Sequence, residues 1–301
     1  APRGALSSLR TRLSGRWLTL GILALCILLS VPTITVFSSI FGDSEGVWSH
    51  LASTVLGDYI SQSALLMVGV GLAVLVLGIG PAWLVTMTRF PGSRHLEWAL
   101  VLPLAMPAYI IAYTYTGMLD VGGPLQSWIR ATFEVRYGDY WFPQIRSIGG
   151  AITMLSLVLY PYVYLLTRTA FIEQSVCVLE VSRTLGASPF KAFSRVALPL
   201  ARPAIMAALS LVLMETLADY GTVQYFGVSA FTTGIYRTWF GLGSPIAAAQ
   251  LAAVLMVFIL GLVLAEHWSR SKARYHHTSN KYTRLPRIEL HGWKRAAAMF
   301  Y

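Results

Sequence analysis

Charge is scarce in this chain. Asp, Glu, Lys and Arg together make up 12% of its 301 residues, apolar residues make up 55%, and the mean hydropathy is +0.60. So little charge is outside what a soluble globular chain of this length shows, and the composition points to a bilayer as solvent. Cysteine is scarcer still, at two residues, Cys26 in an apolar run and Cys177 in a charged segment. A disulfide framework and a thiolate metal site are therefore not indicated. The sequence also has no Gly-x-x-x-x-Gly-Lys-Ser/Thr loop to cradle phosphates, no Gly-x-Ser-x-Gly elbow and no His-Glu-x-x-His pair. The chain is not expected to be an enzyme or to bind a cofactor itself. Its six histidines show no metal-ligand spacing, and His267, His276, His277 and His291 fall in or near a basic tail. No metal site is fixed by the sequence.

Long apolar runs are plentiful. Six stretches are long enough to cross roughly 30 Å of hydrocarbon at about 1.5 Å per residue. They are placed at Trp17 to Phe41, Ser63 to Thr88, Leu96 to Leu119, Ile148 to Thr167, Pro203 to Phe226 and Ser244 to Trp268. Lys and Arg in the alternating connections number nineteen on one side and four on the other, the four being Arg130, Arg136, Arg146 and Arg237. The positive-inside rule then puts both ends of this segment and residues 168–202 in the cytoplasm. Topology accounts for the net charge of +10, which favours membrane lipid over nucleic acid as the neighbour of the basic tails. The first run is long and lacks a small-x-small cleavage site, so it reads as an uncleaved span. The chain opens on Ala1 rather than Met, and Trp293 to Tyr301 has the basic, aromatic character of the start of a further span. Three regions are expected: a basic tail over 1–16, a six-span domain over 17–268, and a linker over 269–301.

Between the fourth and fifth runs lies a charged segment broken by glycine. Gly186 suits the left-handed turn that ends a helix, and Ser188 before Pro189 suits a cap and a new start. In the second helix Phe190, Phe193 and Ala197 share one face, and Lys191 and Arg195 share another. Leu198-Pro199 is expected to end it. The result is a two-faced helix with aromatics free to dock.

These residues carry a family resemblance. Glu180, the small pair Val181-Ser182, Gly186, Val196 and Leu198-Pro199 stand in the order of the EAA signature of ABC importer permeases, with Val181-Ser182 for Ala-Ala and Val196 for Ile. The resemblance implies an all-α membrane protein with six transmembrane helices of the type I-like permease fold, in a bacterial inner membrane. It implies that 173–202 is the coupling segment, with Glu180, Gly186, Ala187, Ser188, Pro189, Phe190, Lys191, Phe193, Leu198 and Pro199 engaging a cytoplasmic ATPase. The implied partners are that ATPase, which holds ATP and Mg, a periplasmic substrate-binding protein, and a second permease half, identical, fused or separate.

Glu215 and Asp219 lie four residues apart near the outer end of the fifth run, with Tyr220 beside them. Carboxylates facing lipid are costly, so these read either as groups on a water-filled path or as partners of neighbouring helices and tyrosines. The run from Glu215 to Phe240 resembles ferric-ion ABC importer permeases, which implies ferric iron as cargo. Permeases for thiamine, polyamines, sulfate or molybdate share the signature, and a gradient-driven secondary transporter is the rival from another class. Gly78, Gly80, Pro81, Pro103, Pro107 and Pro161 are expected to let spans kink, or simply to reflect the tolerance of membrane helices for such residues. Gln126 to Pro143, rich in Trp, Tyr and Phe, reads as an aromatic belt at headgroup level or a docking surface for the binding protein.

Overall fold

A computed structural model describes residues 3–173, 186, 188–271 and 288–289. Glu180, Ala187 and Cys177 of the sequence reading, and most of the 269–301 linker, lie outside the described residues. The long helices are α1 (Arg3–Ser38), α3 (Leu56–Met87), α7 (Ile148–Glu173), α9 (Leu198–Ala218) and α12 (Pro245–Ser271). Shorter ones are α2 (Val47–Thr54), α4 (Ser93–Ala99), α5 (Ala108–Leu119), α6 (Pro124–Phe133), α8 (Pro189–Ala192), α10 (Gly221–Tyr225) and α11 (Phe231–Tyr236). Among the described residues five helices are long and apolar enough to cross a membrane, and a sixth crossing exists if the bent pair 93–105 and 108–133 is one span.

Packing decides that count. A Cβ on Gly69 would lie 2.6 Å from Ile152, and one on Gly78 would lie 2.7 Å from the Cβ of Val163, so α3 and α7 rise side by side in the same direction. Two parallel spans require the chain between them to cross back. The stretch 93–119 therefore counts as a crossing, and the spans among the described residues number six. The expected run Leu96 to Leu119 is broken at the prolines expected to let it kink. Pro103 sits in a 3₁₀ turn over Leu102–Ala105, Pro107 caps α5, and the axis turns by 98° at the break. Proline has no N–H and restricts the residue before it, so two of them four apart end one helix and start the next. Pro81 and Pro161, by contrast, are accommodated inside continuous helices. Gly78 serves close contact between α3 and α7 rather than a kink.

The core has three parts. Leu66, Val70 and Val74 of α3 meet Ala151, Met154, Leu155 and Val158 of α7, with Ala208 and Val212 of α9, at mid-height. Towards one edge, Ala82 and Met87 meet Tyr164, Phe171, Ala197, Ala201 and Ile205. Towards the other, Leu51, Tyr59, Leu217 and Phe231 meet Ala247, Leu251 and Leu255 of α12. The ends of α3 and α7 and the start of α9 thus share one edge, near Gly186. The opposite edge, called here the far edge, holds the start of α12. Gln250 donates from Nε2 to the carbonyls of Ser39 and Gly42, which brings the end of α1 to that far edge as well. At the Gly186 edge Glu97 of α4 pairs with Arg168 of α7 at 3.1 Å. There too Thr88–Arg89 forms a two-residue parallel ladder with Ile288–Glu289.

Candidate functional site

The Gly186 edge carries Gly186, Val196, Leu198 and Pro199 of the charged segment, while Glu180, Val181 and Ser182 lie outside the described residues. Gly186 has φ +79°, the left-handed conformation that costs a Cβ-bearing residue steric energy, and a Cβ there would meet nothing within 4 Å. The constraint is therefore the backbone and not crowding. Ser188 accepts the Lys191 N–H at its Oγ, 3.3 Å away, and its carbonyl accepts from Ala192, so the hydroxyl caps α8. Phe190 and Lys191 are exposed.

Two expectations about this helix are corrected. The first is that Leu198-Pro199 ends it. Instead Phe193–Ala197 forms a π-turn, in which the Leu198 N–H reaches back to the Phe193 carbonyl, and the helix continues through Pro199 into α9. Pro199 has no N–H to donate, and its ring would crowd the carbonyl four residues earlier. Widening the turn just before the proline lets the axis continue, and π-turns of this kind recur inside helices. The second is that Phe190 and Phe193 form one docking face. Phe190 is 75% exposed, but Phe193 turns inward onto Trp83 and Ala197 is fully buried. Leu198 packs on the same inner cluster.

The far edge carries the carboxylates, and there the expected span Pro203 to Phe226 is also corrected. The helix stops at Ala218, because Asp219 takes an extended backbone with ψ 127°. The Asp219 carboxylate then accepts from the Val223 N–H and the Thr222 hydroxyl, both at 3.0 Å, and so caps α10. Thr232 donates to the Asp219 carbonyl at 2.7 Å. From the neighbouring span α3, Gln62 Oε1 accepts the Ser229 N–H and Ser63 Oγ accepts the Phe231 N–H. Residues 219–231 are thus a broken passage whose backbone groups are satisfied by the short helix α10 and local turns and, at Val223, Ser229 and Phe231, by side chains, as membrane depth demands. Asp219 is engaged in holding that passage. Glu215 is different: it is exposed, one turn earlier, while Thr216 and Leu217 beside it are buried.

Tyr220 joins a group of rings that sequence reasoning did not single out as path residues. Its ring centroid is 4.6 Å from that of Tyr236, which is 4.6 Å from Phe240, which stacks on Trp239 at 5.8 Å and 15°. The i, i+4 spacing of Tyr236 and Phe240 was the available signal. Nearby, Tyr113 meets Tyr225 at 6.0 Å, and Arg146 lies 5.3 Å over the Tyr225 ring while pairing with Asp120 at 3.5 Å. The segment after α5 is tied down by polar contacts. Gln126 donates to the Leu119 carbonyl and accepts from the Tyr140 hydroxyl, and Arg130 donates to the Val121 carbonyl. Its Trp128, Phe133, Tyr137 and Trp141 stay exposed.

Residues 74–266, which span this packed bundle and both edges, match the family model described as a binding-protein-dependent transport system inner membrane component. The chain belongs to that family. Among curated permeases of this kind, it is 29% identical over 270 residues to an Fe(3+)-transport system permease protein, FbpB 2, of Haemophilus influenzae, covering 89% of this chain and 49% of that protein. It is 28% identical over 192 residues to the sulfate transport system permease protein CysT of Escherichia coli, covering 60% of this chain and 66% of the relative. A molybdenum transport system permease protein, ModB of Haemophilus influenzae, is 25% identical over 203 residues, covering 65% of this chain and 86% of the relative. The chain therefore spans about half the length of the iron permease it resembles. The fold is that of ABC transporter permeases. A solved bacterial alginate ABC transporter in complex with an alginate pentasaccharide-bound periplasmic protein matches 89% of this chain and 99% of its own with a TM-score of 0.63 at 16% identity. An inward-facing MetNI methionine ABC transporter matches 73% and 97% with a TM-score of 0.57 at 17% identity.

Proposed function

We propose that this chain is a membrane-spanning half of an ATP-driven importer, lying in a bacterial inner membrane with the Gly186 edge in the cytoplasm. The observation that carries this is the turn at Gly186 with its capped helix start, placed where α3 and α7 end and α9 begins, in a chain of this permease family. The lysine and arginine count supports the same side. There the exposed Phe190 and Lys191 would meet a separate ATPase subunit that holds ATP and Mg, and its closure would switch the bundle between outward-open and inward-open states. A substrate-binding protein would deliver cargo at the far edge, where the aromatic segment 124–143 would lie at the lipid headgroups. A second half, from the same chain or another, would complete the path.

The cargo we propose is ferric iron. The iron permease match is 29% identical over 89% of this chain, against 28% over 60% for CysT, 25% over 65% for ModB and 26% over 87% for the sulfate transport system permease protein CysW of Escherichia coli. Glu215 supplies a hard oxygen donor on a face turned away from its own bundle core, where a carboxylate needs water or a second half in preference to lipid. The test is radiolabelled ferric uptake by cells lacking the gene, complemented with wild type, Glu215→Gln or Gly186→Val. Wild type should restore uptake, Glu215→Gln should lower it several-fold, and Gly186→Val should abolish it while the protein still reaches the membrane. Full uptake without the gene in a strain with no second importer removes iron. Full uptake by Gly186→Val removes the coupling role of the turn.

A further inference from the structure

The Gly186 edge is joined to the spans by a chain of aromatic rings. Phe190, exposed at the surface, lies 6.4 Å from Phe193, Phe193 lies 4.9 Å from Trp83, and Trp83 stands edge-on to Phe171 at 5.5 Å and 81°. The four rings come from three places. Phe190 and Phe193 belong to the segment after Gly186, Trp83 to α3, and Phe171, fully buried, to α7. Contacts of this kind between rings are worth more than their buried area alone.

Two routes therefore lead from the exposed segment into the membrane. The backbone route passes through the π-turn Phe193–Ala197 into α9, and a π-turn is a local departure from the regular helical ladder. The side-chain route goes from Phe193 directly to α3 and α7. Those two helices are in turn packed at close approach, with Gly78 against Val163 and the Tyr164 backbone. Phe193 stands where the routes divide. It opens the π-turn and at the same time faces Trp83.

We infer that Phe193 is the positioning residue that passes displacement of the Gly186 segment to the α3–α7 pair, through Trp83 and Phe171. This rests on the reading of that edge as the site of an ATPase. Phe190 and Lys191 dock; Phe193 transmits. Removing the Phe193 ring leaves the docking surface in place and disconnects it from the two spans.

The test uses the complete complex of permease, ATPase subunits and binding protein in proteoliposomes, with ferric iron loaded on the binding protein. ATP hydrolysis, its stimulation by the loaded binding protein, and uptake are measured in the same vesicles for wild type, Phe193→Ala, Phe193→Tyr, Trp83→Ala and the double alanine variant. Basal hydrolysis in Phe193→Ala should stay within about twofold of wild type, while iron taken up per ATP falls tenfold or more and stimulation is lost. Phe193→Tyr, which keeps the ring, should recover most of that ratio. The double variant should be no worse than the poorer single one, because both break the same contact. An unchanged ratio in Phe193→Ala overturns the inference, and so does a proportional fall in hydrolysis and uptake that the tyrosine does not rescue. Uptake by wild type that needs no ATP overturns the reading of the edge itself, and the inference with it.

Discussion

The two edges of this bundle solve the problem of an irregular backbone in opposite ways. At the Gly186 edge the break in the helix is closed by apolar packing: Phe193, Ala197 and Leu198 turn onto Trp83, Tyr164 and Phe171, and little but the Ser188 cap is polar. At the far edge the break after Ala218 is closed by hydrogen bonds that Asp219, Gln62 and Ser63 accept and one that Thr232 donates. Apolar packing is non-directional and keeps its strength as neighbours move together. Hydrogen bonds fix individual groups and forfeit most of their value when a partner shifts. The first edge is suited to carrying force and the second to holding a shaped passage.

The comparison breaks most visibly at Gly78. A Cβ there would lie 2.7 Å from the Val163 Cβ and 3.0 Å from the Tyr164 amide nitrogen, which is backbone and cannot swing away. Gly78→Ala should destabilise the bundle by about 1–3 kcal/mol, the usual range for overpacking. Thermal unfolding in detergent should show the loss. Val163→Ala on the same background should return part of it, and the Tyr164 contact should prevent full recovery. No loss would mean that the two helices have room to separate, and the force-carrying edge would lose its rigid base.

A smaller effect is expected at Asp219, and it distinguishes a holder of the passage from a contact for cargo. Alanine removes the acceptor for both the Val223 N–H and the Thr222 hydroxyl, which should cost about 1–2 kcal/mol by the measure of other helix caps. Asparagine keeps one acceptor oxygen without the charge and should cost less. Uptake by Asp219→Asn should stay near wild type, in contrast to Glu215→Gln. Equal loss of uptake in the two would put Asp219 on the path.

How far the sequence reveals this arrangement differs between the edges for the same physical reason. The number of spans and the turn at Gly186 are readable, because hydrophobic length and the glycine, serine and proline signals are local. The partial burial of Phe193 is not, since it lies beside the exposed Phe190 on the helix and is covered by Trp83 of the distant span α3. Nor is the end of the fifth span at Ala218. Residues 219–226 read as a continuing apolar helix, and what stops it is a carboxylate that caps the next helix, together with distant acceptors on Gln62 and Ser63. The paired carboxylates were legible as a feature. Their division of labour, one capping and one exposed, depends on that unforeseen break.

The least effect is expected at the ion pair of Glu97 and Arg168, the polar exception at the packed edge. Their side chains are 21% and 27% exposed, and the 3.1 Å contact links α4, at the start of the broken third crossing, to α7. Partly screened pairs of this kind are worth roughly 0.2–1 kcal/mol, and their contribution falls as salt rises. Glu97→Gln should therefore lower the unfolding temperature slightly in dilute buffer and by less in 1 M salt, where the Debye length is about 3 Å. The Tyr164 hydroxyl donates to the Glu97 backbone carbonyl at 3.4 Å, a contact that does not need the carboxylate and should hold α4 in place in the variant. A large, salt-insensitive loss would mean that this edge depends on a buried charge pair, and the division between packed and hydrogen-bonded edges would fail at the point where the third crossing meets the fourth.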